Sequence, residues 1–238
     1  MRAVAIIPAR IASTRMARKP MRLIAGRPMI ECVYRAVRSS PLLQDVVVAT
    51  DSAEIFEFCR AQGFHAALTS ERCRSGTDRV HEAAQKIAGD IFVNVQGDEP
   101  LTRPEHIASL LAVMKPEIQV GTLMTPMSQG EAQNPNVVKV VTDKSGRALY
   151  FSRSPIPFDR DAVGPRYNKH LGFYAYRRAA LDEFVRWTES DLEQAERLEQ
   201  LRFLENGVDI YAGETPFDTI GVDTEEDVAR VEAVLKKH

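Results

Sequence analysis

Hydrophobic positions along the chain follow two different periods. Val4–Pro8, Val46–Ala49 and Ile91–Val95 are short, nearly continuous apolar runs, the pattern of strands buried on both faces of a parallel sheet. Between them the apolar positions switch to helical spacing. Ile30, Val33, Tyr34 and Val37 recur at i, i+3, i+4 and i+7, with Pro28 near the helix start. Thr50-Asp51-Ser52 is a capping sequence for a helix through Ala61. A short strand is expected at His65–Leu68 and a helix over Thr77–Ile87, and Ile107, Leu110, Leu111 and Met114 form another helical stripe.

Strands separated by single helices imply βαβ units. Right-handed crossovers then place the C-terminal ends of all these strands on one edge, where ligands bind in open α/β sheets. The loops 9–20 and 96–100 are therefore expected to face one crevice. The middle of the chain reads differently. Val120–Pro126, Val137–Val141, Ala148–Ser152 and Leu171–Tyr176 look like strands with few helices between them. They suggest an antiparallel insertion, serving as a dimer arm or a substrate lid. Pro155, Pro157, Gly164 and Pro165 make 153–169 a loop. Helices are expected near Arg178–Trp187 and Asp191–Asn206, then a strand at Val208–Ala212. Thr224 and Asp227 mark the start of a terminal helix with Val228, Val231 and Leu235 on its inner face.

The loop after the first strand, ARIASTRMARK, holds Arg10, Ser13, Thr14, Arg15, Arg18 and Lys19. Clustered guanidinium and ammonium donors at a strand end suit a polyphosphate. The glycines of a Walker loop or of G-x-G-x-x-G are missing, and a solvated basic loop has the same composition. QGDEP follows the Ile91–Val95 strand, and its Asp98 and Glu99 sit where a carboxylate could hold Mg²⁺, which takes one or two carboxylates plus phosphate oxygens; a simple turn at Gly97 is the other reading. Asp223 in GVDT is either a second metal carboxylate or a helix cap. SGTDR (75–79) is an ordinary helix start, or a place for Ser75 and backbone groups to meet a base edge. His170, in KHLGFY, is a lone histidine of a kind more often structural than catalytic. HEAAQ at His81 lacks the second histidine of a zinc-binding helix.

Composition narrows the class. Of 238 residues, 44% are hydrophobic and 27% charged, which excludes a wholly disordered chain. The net charge of −2 gives no electrostatic footprint for nucleic acid. The longest uncharged stretch, 118–130, has 13 residues and holds Pro126, too short for a bilayer-spanning helix. The N-terminus reads as structure rather than as a signal peptide. Cys32, Cys59 and Cys73 form no C-x-x-C pair; packing roles and a reducing cytoplasm are expected.

Taken in order, IPARIASTR, Lys19-Pro20, GRPMI, VVVATD, SGTDR, VNVQGDEP, NPNVVKVV, ALYFSRSPIP, KHLGFYAY, LEQLRFL and GVDTEEDV run along almost the whole chain. Together they closely resemble the 3-deoxy-manno-octulosonate cytidylyltransferase (CMP-Kdo synthetase) family. The resemblance implies an α/β nucleotide-diphospho-sugar transferase fold, with a mostly parallel Rossmann-like sheet and an antiparallel insertion. It implies one domain over 1–238, divided into a nucleotide-binding core (1–115), an insertion with sugar-site and dimer elements (116–180), and a return to the core (181–238). It also implies a cytoplasmic homodimer with Mg²⁺ as cofactor and CTP and Kdo as substrates, giving CMP-Kdo and diphosphate for lipopolysaccharide synthesis.

By the same resemblance Arg10, Arg15 and Lys19 bind the triphosphate, with Ser13 on the nucleotide side. Pro8, Ala9, Arg74, Ser75 and Gly76 lie toward the cytosine. Asp98 and Asp223 ligate the metal, and Arg10, Lys19, Asp98 and Asp223 carry the reaction. Gln96, His170, Tyr174, Glu199 and Gln200 form the sugar pocket. Activation of 8-amino-Kdo or a sialic-acid-like acid, or nucleotide binding without turnover, would use the same residues. The chain departs from the family pattern at Met16-Ala17-Arg18-Lys19-Pro20, where the family reads L-P-G-K-P. That exchange narrows the loop's backbone options, since arginine rarely takes φ > 0. Position 74 is often glutamine in the family, and 159–169 is shorter than usual.

Overall fold

The computed structural model describes residues 1–11 and 16–236. The chain divides into two compact units, one of Met1–Ala108 with Thr219–His238, the other of Ser109–Asp218.

The first unit is built on β1 (Ala3–Ala9), every residue of which is buried. A short 3₁₀ turn, Lys19–Met21, and a two-stranded hairpin, β2 (Leu23–Ile24) and β3 (Arg27–Pro28), lead into α1 (Met29–Arg38). Then come β4 (Asp45–Thr50), α2 (Ala53–Ala61), β5 (His65–Leu68), α3 (Gly76–Ala84) and β6 (Ile91–Val95). Their order in the sheet is β6-β1-β4-β5, all parallel, with Val4 opposite Asp45 and Ala3 opposite Ile91. The apolar runs are the central strands because only these are covered on both faces. β5, at the edge, exposes His65 and Leu68. Ser52 caps α2 by accepting from the Ile55 amide, as its sequence neighbourhood predicts. The boundary between the units falls inside α4 (Pro104–Val113). The terminal helix Glu225–Leu235 closes the first unit, capped by Thr224 and Asp227 in a reciprocal box.

In the second unit β7 (Val120–Met127) leads through the short α5 (Gln129–Ala132) to β8 (Lys139–Thr142), β9 (Ala148–Ser152) and the long β10 (Tyr167–Arg177). β10 runs antiparallel to β7 and to β8, and β8 antiparallel to β9. The expected loop 153–169 ends earlier than its composition suggests, because Tyr167, Asn168 and Lys169 pair with Met127, Pro126 and Thr125. Backbone pairing, rather than side-chain propensity, extends that strand. α6 (Arg178–Phe184), α7 (Asp191–Glu196), α8 (Leu201–Glu205) and β11 (Ile210–Glu214) follow, with β11 parallel to β7.

The single helix expected over Asp191–Asn206 is two helices. Arg197 adopts the left-handed conformation at φ 54° and ends α7. In a continuous helix Glu193 and Arg202 would lie roughly 13 Å apart along the axis and on opposite faces. The break instead lets Arg202 donate twice to Glu193, at 2.7 and 2.6 Å, with both side chains buried. The Arg202 guanidinium also stacks 4.1 Å from the Phe184 ring, and Phe184 packs on Phe203 at 4.8 Å. Long-range pairing thus overrides a local helical pattern. Glu193→Ala, which strands a buried guanidinium, is expected to lower stability by about 3–5 kcal/mol in urea unfolding, whereas the double change Glu193→Leu/Arg202→Met should recover most of that loss.

Candidate active site

Three loops of the first unit meet at the C-terminal ends of β1 and β6. Gly97 makes the closest approach possible, since a Cβ there would lie 2.9 Å from the Pro8 carbonyl oxygen. The loop after β6 is also tied to the segment before the terminal helix. The Val222 amide donates to the Asp98 carbonyl at 2.9 Å, and the Thr219 hydroxyl donates to Glu99 Oε2 at 2.6 Å. These ties bring Asp98 and Asp223 to the same place although 125 positions separate them in sequence.

Between the two aspartates lies Lys19. Its Nζ donates to Asp98 Oδ2 at 2.5 Å and to Asp223 Oδ1 at 2.7 Å. Burial opposes the ammonium, but the attraction of Asp98 and Asp223 outweighs it and lifts the Lys19 pKa above its ordinary 10.5. Asp223 is not the cap of the terminal helix. Thr224 accepts from the Asp227 amide as the helix cap, and Asp227 Oδ2 accepts from the Asp223 and Thr224 amides. The Asp223 side chain is left to face Lys19.

The helix-start reading of SGTDR holds. Ser75 caps α3, accepting from the Asp78 amide at 3.1 Å. Asp78 in return takes the amides of Arg74 and Ser75. With its oxygen used as acceptor, the Ser75 hydroxyl keeps a proton to donate outward, and Ser75 lines the cleft. Gly76 makes room for Gln96, whose amide would sit 3.3 Å from a Cβ at that position.

The resulting cleft has a volume of ≈ 220 Å³. Pro8, Ala9, Arg10, Lys19, Arg74, Ser75, Gly76, Asp98 and Asp223 all line it, together with Gln96. Ser13 and Arg15 lie outside the described residues. Arg18 turns away from this set. It occupies the left-handed region at φ 52° and pairs with Glu54. The backbone thus takes at an arginine a conformation that glycine adopts more freely, at a cost of about 1–2 kcal/mol.

Sequence reasoning missed Cys73, Gly97 and Arg79 in this cleft. Arg79 is almost fully buried, donating to Asp51 at 2.6 Å and Thr69 at 2.5 Å, so it fastens α3 to the strand ends. Its signal was available: it neighbours Val80 on the buried face of α3, where a guanidinium needs a carboxylate. Burial, reinforced by its contact with Glu82, pushes the Cys73 thiol up to about 12, and burial pushes Cys59 up to about 11. Neither is a nucleophile at neutral pH.

The other expected sugar-side residues belong to the second unit. His170 contacts Thr122 at 3.0 Å through Nε2 and packs against Phe151 and Tyr174, with ring centroids at 5.0 and 5.4 Å. Thr122 donates its own proton to the Phe173 carbonyl at 2.8 Å, which makes His170 Nε2 the donor. Burial pushes the Tyr174 hydroxyl well above 10, with Tyr176 and Glu199 adding to the rise. Gln200 is buried, and its Nε2 has no hydrogen-bond partner among the described residues.

The fit to a divalent cation rests on two carboxylates close enough to share one ammonium. No group of three or more His, Cys, Asp or Glu among the described residues could hold a metal, so the remaining ligands would come from phosphate and water, the habit of Mg²⁺.

A parallel sheet whose strand ends carry cations, a pair of carboxylates and a capped helix start defines a nucleotide-binding α/β protein. The chain belongs to the cytidylyltransferase family, whose model matches residues 4–210. It is 63% identical over 237 residues to a 3-deoxy-manno-octulosonate cytidylyltransferase from Koribacter versatilis (strain Ellin345), covering 99% of this chain and 90% of that protein. Its identity to the protein of the same name from Acidobacterium capsulatum is 57%, covering 97% and 95%. Among solved structures, CMP:2-keto-3-deoxy-manno-octonic acid synthetase complexed with CTP superposes with a TM-score of 0.96 at 42% identity, covering 100% of this chain and 99% of that one.

Burial holds the His170 imidazole down to about 3, against 6.5 for an ordinary histidine. As pH falls through 6.5 the unfolded chain binds this proton and the folded chain does not. Stability contributed by the neutral ring is therefore complete above 6.5 and is lost progressively down to about 3. His170→Gln is expected to flatten the acid side of the stability curve by up to about 1.4 kcal/mol per pH unit, measured by chemical unfolding across that window.

Proposed function

We propose that the chain catalyses CTP + Kdo → CMP-Kdo + diphosphate. The observation that carries this reading is the Lys19–Asp98–Asp223 cluster at the strand ends, beside the Ser75 helix start. The names and extent of the relatives support the choice of substrates.

In this reading the anomeric 2-hydroxyl of the sugar acid attacks the α-phosphorus, a new P–O bond forms, and the bond to the diphosphate breaks. The protein has little covalent work; it aligns the groups and neutralises charge. Arg10 and Lys19 take the triphosphate, with Ser13 and Arg15 from the same loop. Pro8, Ala9, Arg74, Ser75 and Gly76 enclose the base side, where Ser75 donates its hydroxyl proton. Asp98 and Asp223 would hold Mg²⁺, which would offset the charge of the phosphate and the sugar carboxylate.

Gln96, His170, Tyr174, Glu199 and Gln200 serve the sugar acid. A neutral imidazole and an un-ionised phenol offer hydrogen bonds without added charge, and the Gln200 amide supplies a buried donor for a hydroxyl or carboxylate. A site built for such groups rejects analogues that lack them. The same proposal covers a homodimer, for which exposed Leu149, Phe158 and Val163 supply apolar surface, and a cytoplasmic role in lipopolysaccharide synthesis. No helix among the described residues is long and apolar enough to cross a membrane.

Diphosphate release should require CTP, Mg²⁺ and Kdo together, and should fail without sugar. Preference for 8-amino-Kdo or N-acetylneuraminate would replace the acceptor, and release with none of them would overturn the catalytic reading. Asp98→Asn and Asp223→Asn are each expected to lower kcat by about 10²–10³-fold, with the thermal unfolding cooperative as in the parent protein.

A further inference from the structure

Lys19 uses two of its three ammonium donors on one oxygen each of Asp98 and Asp223, the two carboxylates that a shared cation would use. Its backbone is held in place. Pro20 is buried, the Met21 amide donates to the Arg18 carbonyl at 2.9 Å, and the Arg22 amide donates to the Lys19 carbonyl at 3.1 Å. The aspartates are equally constrained, through the Val222–Asp98 backbone bond and the cap that follows Asp223. With these backbones held, the four-carbon stem of Lys19 has the longest reach for rearrangement, and its head is a compact point charge that can change partners without a fixed geometry.

A divalent cation and the Lys19 ammonium cannot both occupy Asp98 Oδ2 and Asp223 Oδ1, because like charges would stand in contact in a partly buried site. Phosphate oxygens change the balance by giving the ammonium new charged acceptors a short swing away. Resting on the reading of Asp98 and Asp223 as metal ligands, we infer that Lys19 is an intramolecular stand-in for the metal: it competes for the two aspartates and yields them when nucleotide phosphates take the ammonium. Metal binding is then coupled to nucleotide binding through one side chain. By linkage the coupling is reciprocal, so the metal also tightens the nucleotide. Lys19 consequently sets the order of assembly as well as binding phosphate.

The test is Mn²⁺ binding to the full-length protein, followed by the electron paramagnetic resonance of free Mn²⁺, without nucleotide and then with CTP and no sugar. Without nucleotide, Lys19→Met should bind Mn²⁺ at least about tenfold more tightly than the parent protein, the effect of removing one close charge contact. Lys19→Arg should stay near the parent, and Lys19→Met/Asp223→Asn should lose the gain. Equal Mn²⁺ affinity in Lys19→Met and the parent would overturn the stand-in role. Should Lys19→Met fail to fold, Lys19→Gln makes the same comparison. The CTP arm separates the two readings: Asp98→Asn must weaken Mn²⁺ binding to the CTP complex. If it does not, the metal-ligand assignment itself falls, and the stand-in role with it.

Discussion

Parallel pairing of β1 with β6 on one side and β4 on the other is the constraint from which the site follows. It turns β6, β1, β4 and β5 the same way, so the chain leaves each at one edge. Buried strands of this kind have no side-chain freedom to spare for chemistry, and the polar residues are displaced into the loops beyond their ends. Gly97 allows the loop after β6 to pass against the end of β1, and that contact sets the floor of the cleft. The segment before the terminal helix is then drawn in by the Val222–Asp98 and Thr219–Glu99 bonds.

Charge within the cleft is arranged in pairs with different duties. Arg79 spends its guanidinium on Asp51 and Thr69 and acts as a fastening. Asp78 and Asp227 spend their carboxylates on helix starts. Lys19, Asp98 and Asp223 face the cleft and hold one another, and in the proposed reading these partners are exchanged for phosphate and metal. The carboxylates that hold backbone amides cannot move without fraying a helix.

The second unit uses burial where the first uses charge. His170 stays neutral and Tyr174 un-ionised because the surroundings that hold their rings penalise the charged forms. Groups held neutral in this way offer hydrogen bonds without added charge. The price is a buried amide nitrogen on Gln200 that a ligand would satisfy.

Sequence by itself determined the local features. The apolar runs at 4–8, 46–49 and 91–95 became buried strands, and the caps at Ser52, Ser75 and Thr224 formed where their side chains could reach an amide three residues on. Such interactions lie within a single turn, so neighbouring residues suffice to specify them. The resemblance of motifs along the chain pointed to the cleft residues before any contact was visible. Tertiary structure decided the rest. It joined Lys19 to Asp98 and Asp223, broke the 191–206 segment at Arg197 to pair Glu193 with Arg202, and held Arg18 in the left-handed region against its preference. Each of these sets a long-range contact against a local propensity of a kcal/mol or so. Leaving one partner of a buried ion pair unpaired costs more than that, yet the sequence positions of the two partners give no measure of their separation in space.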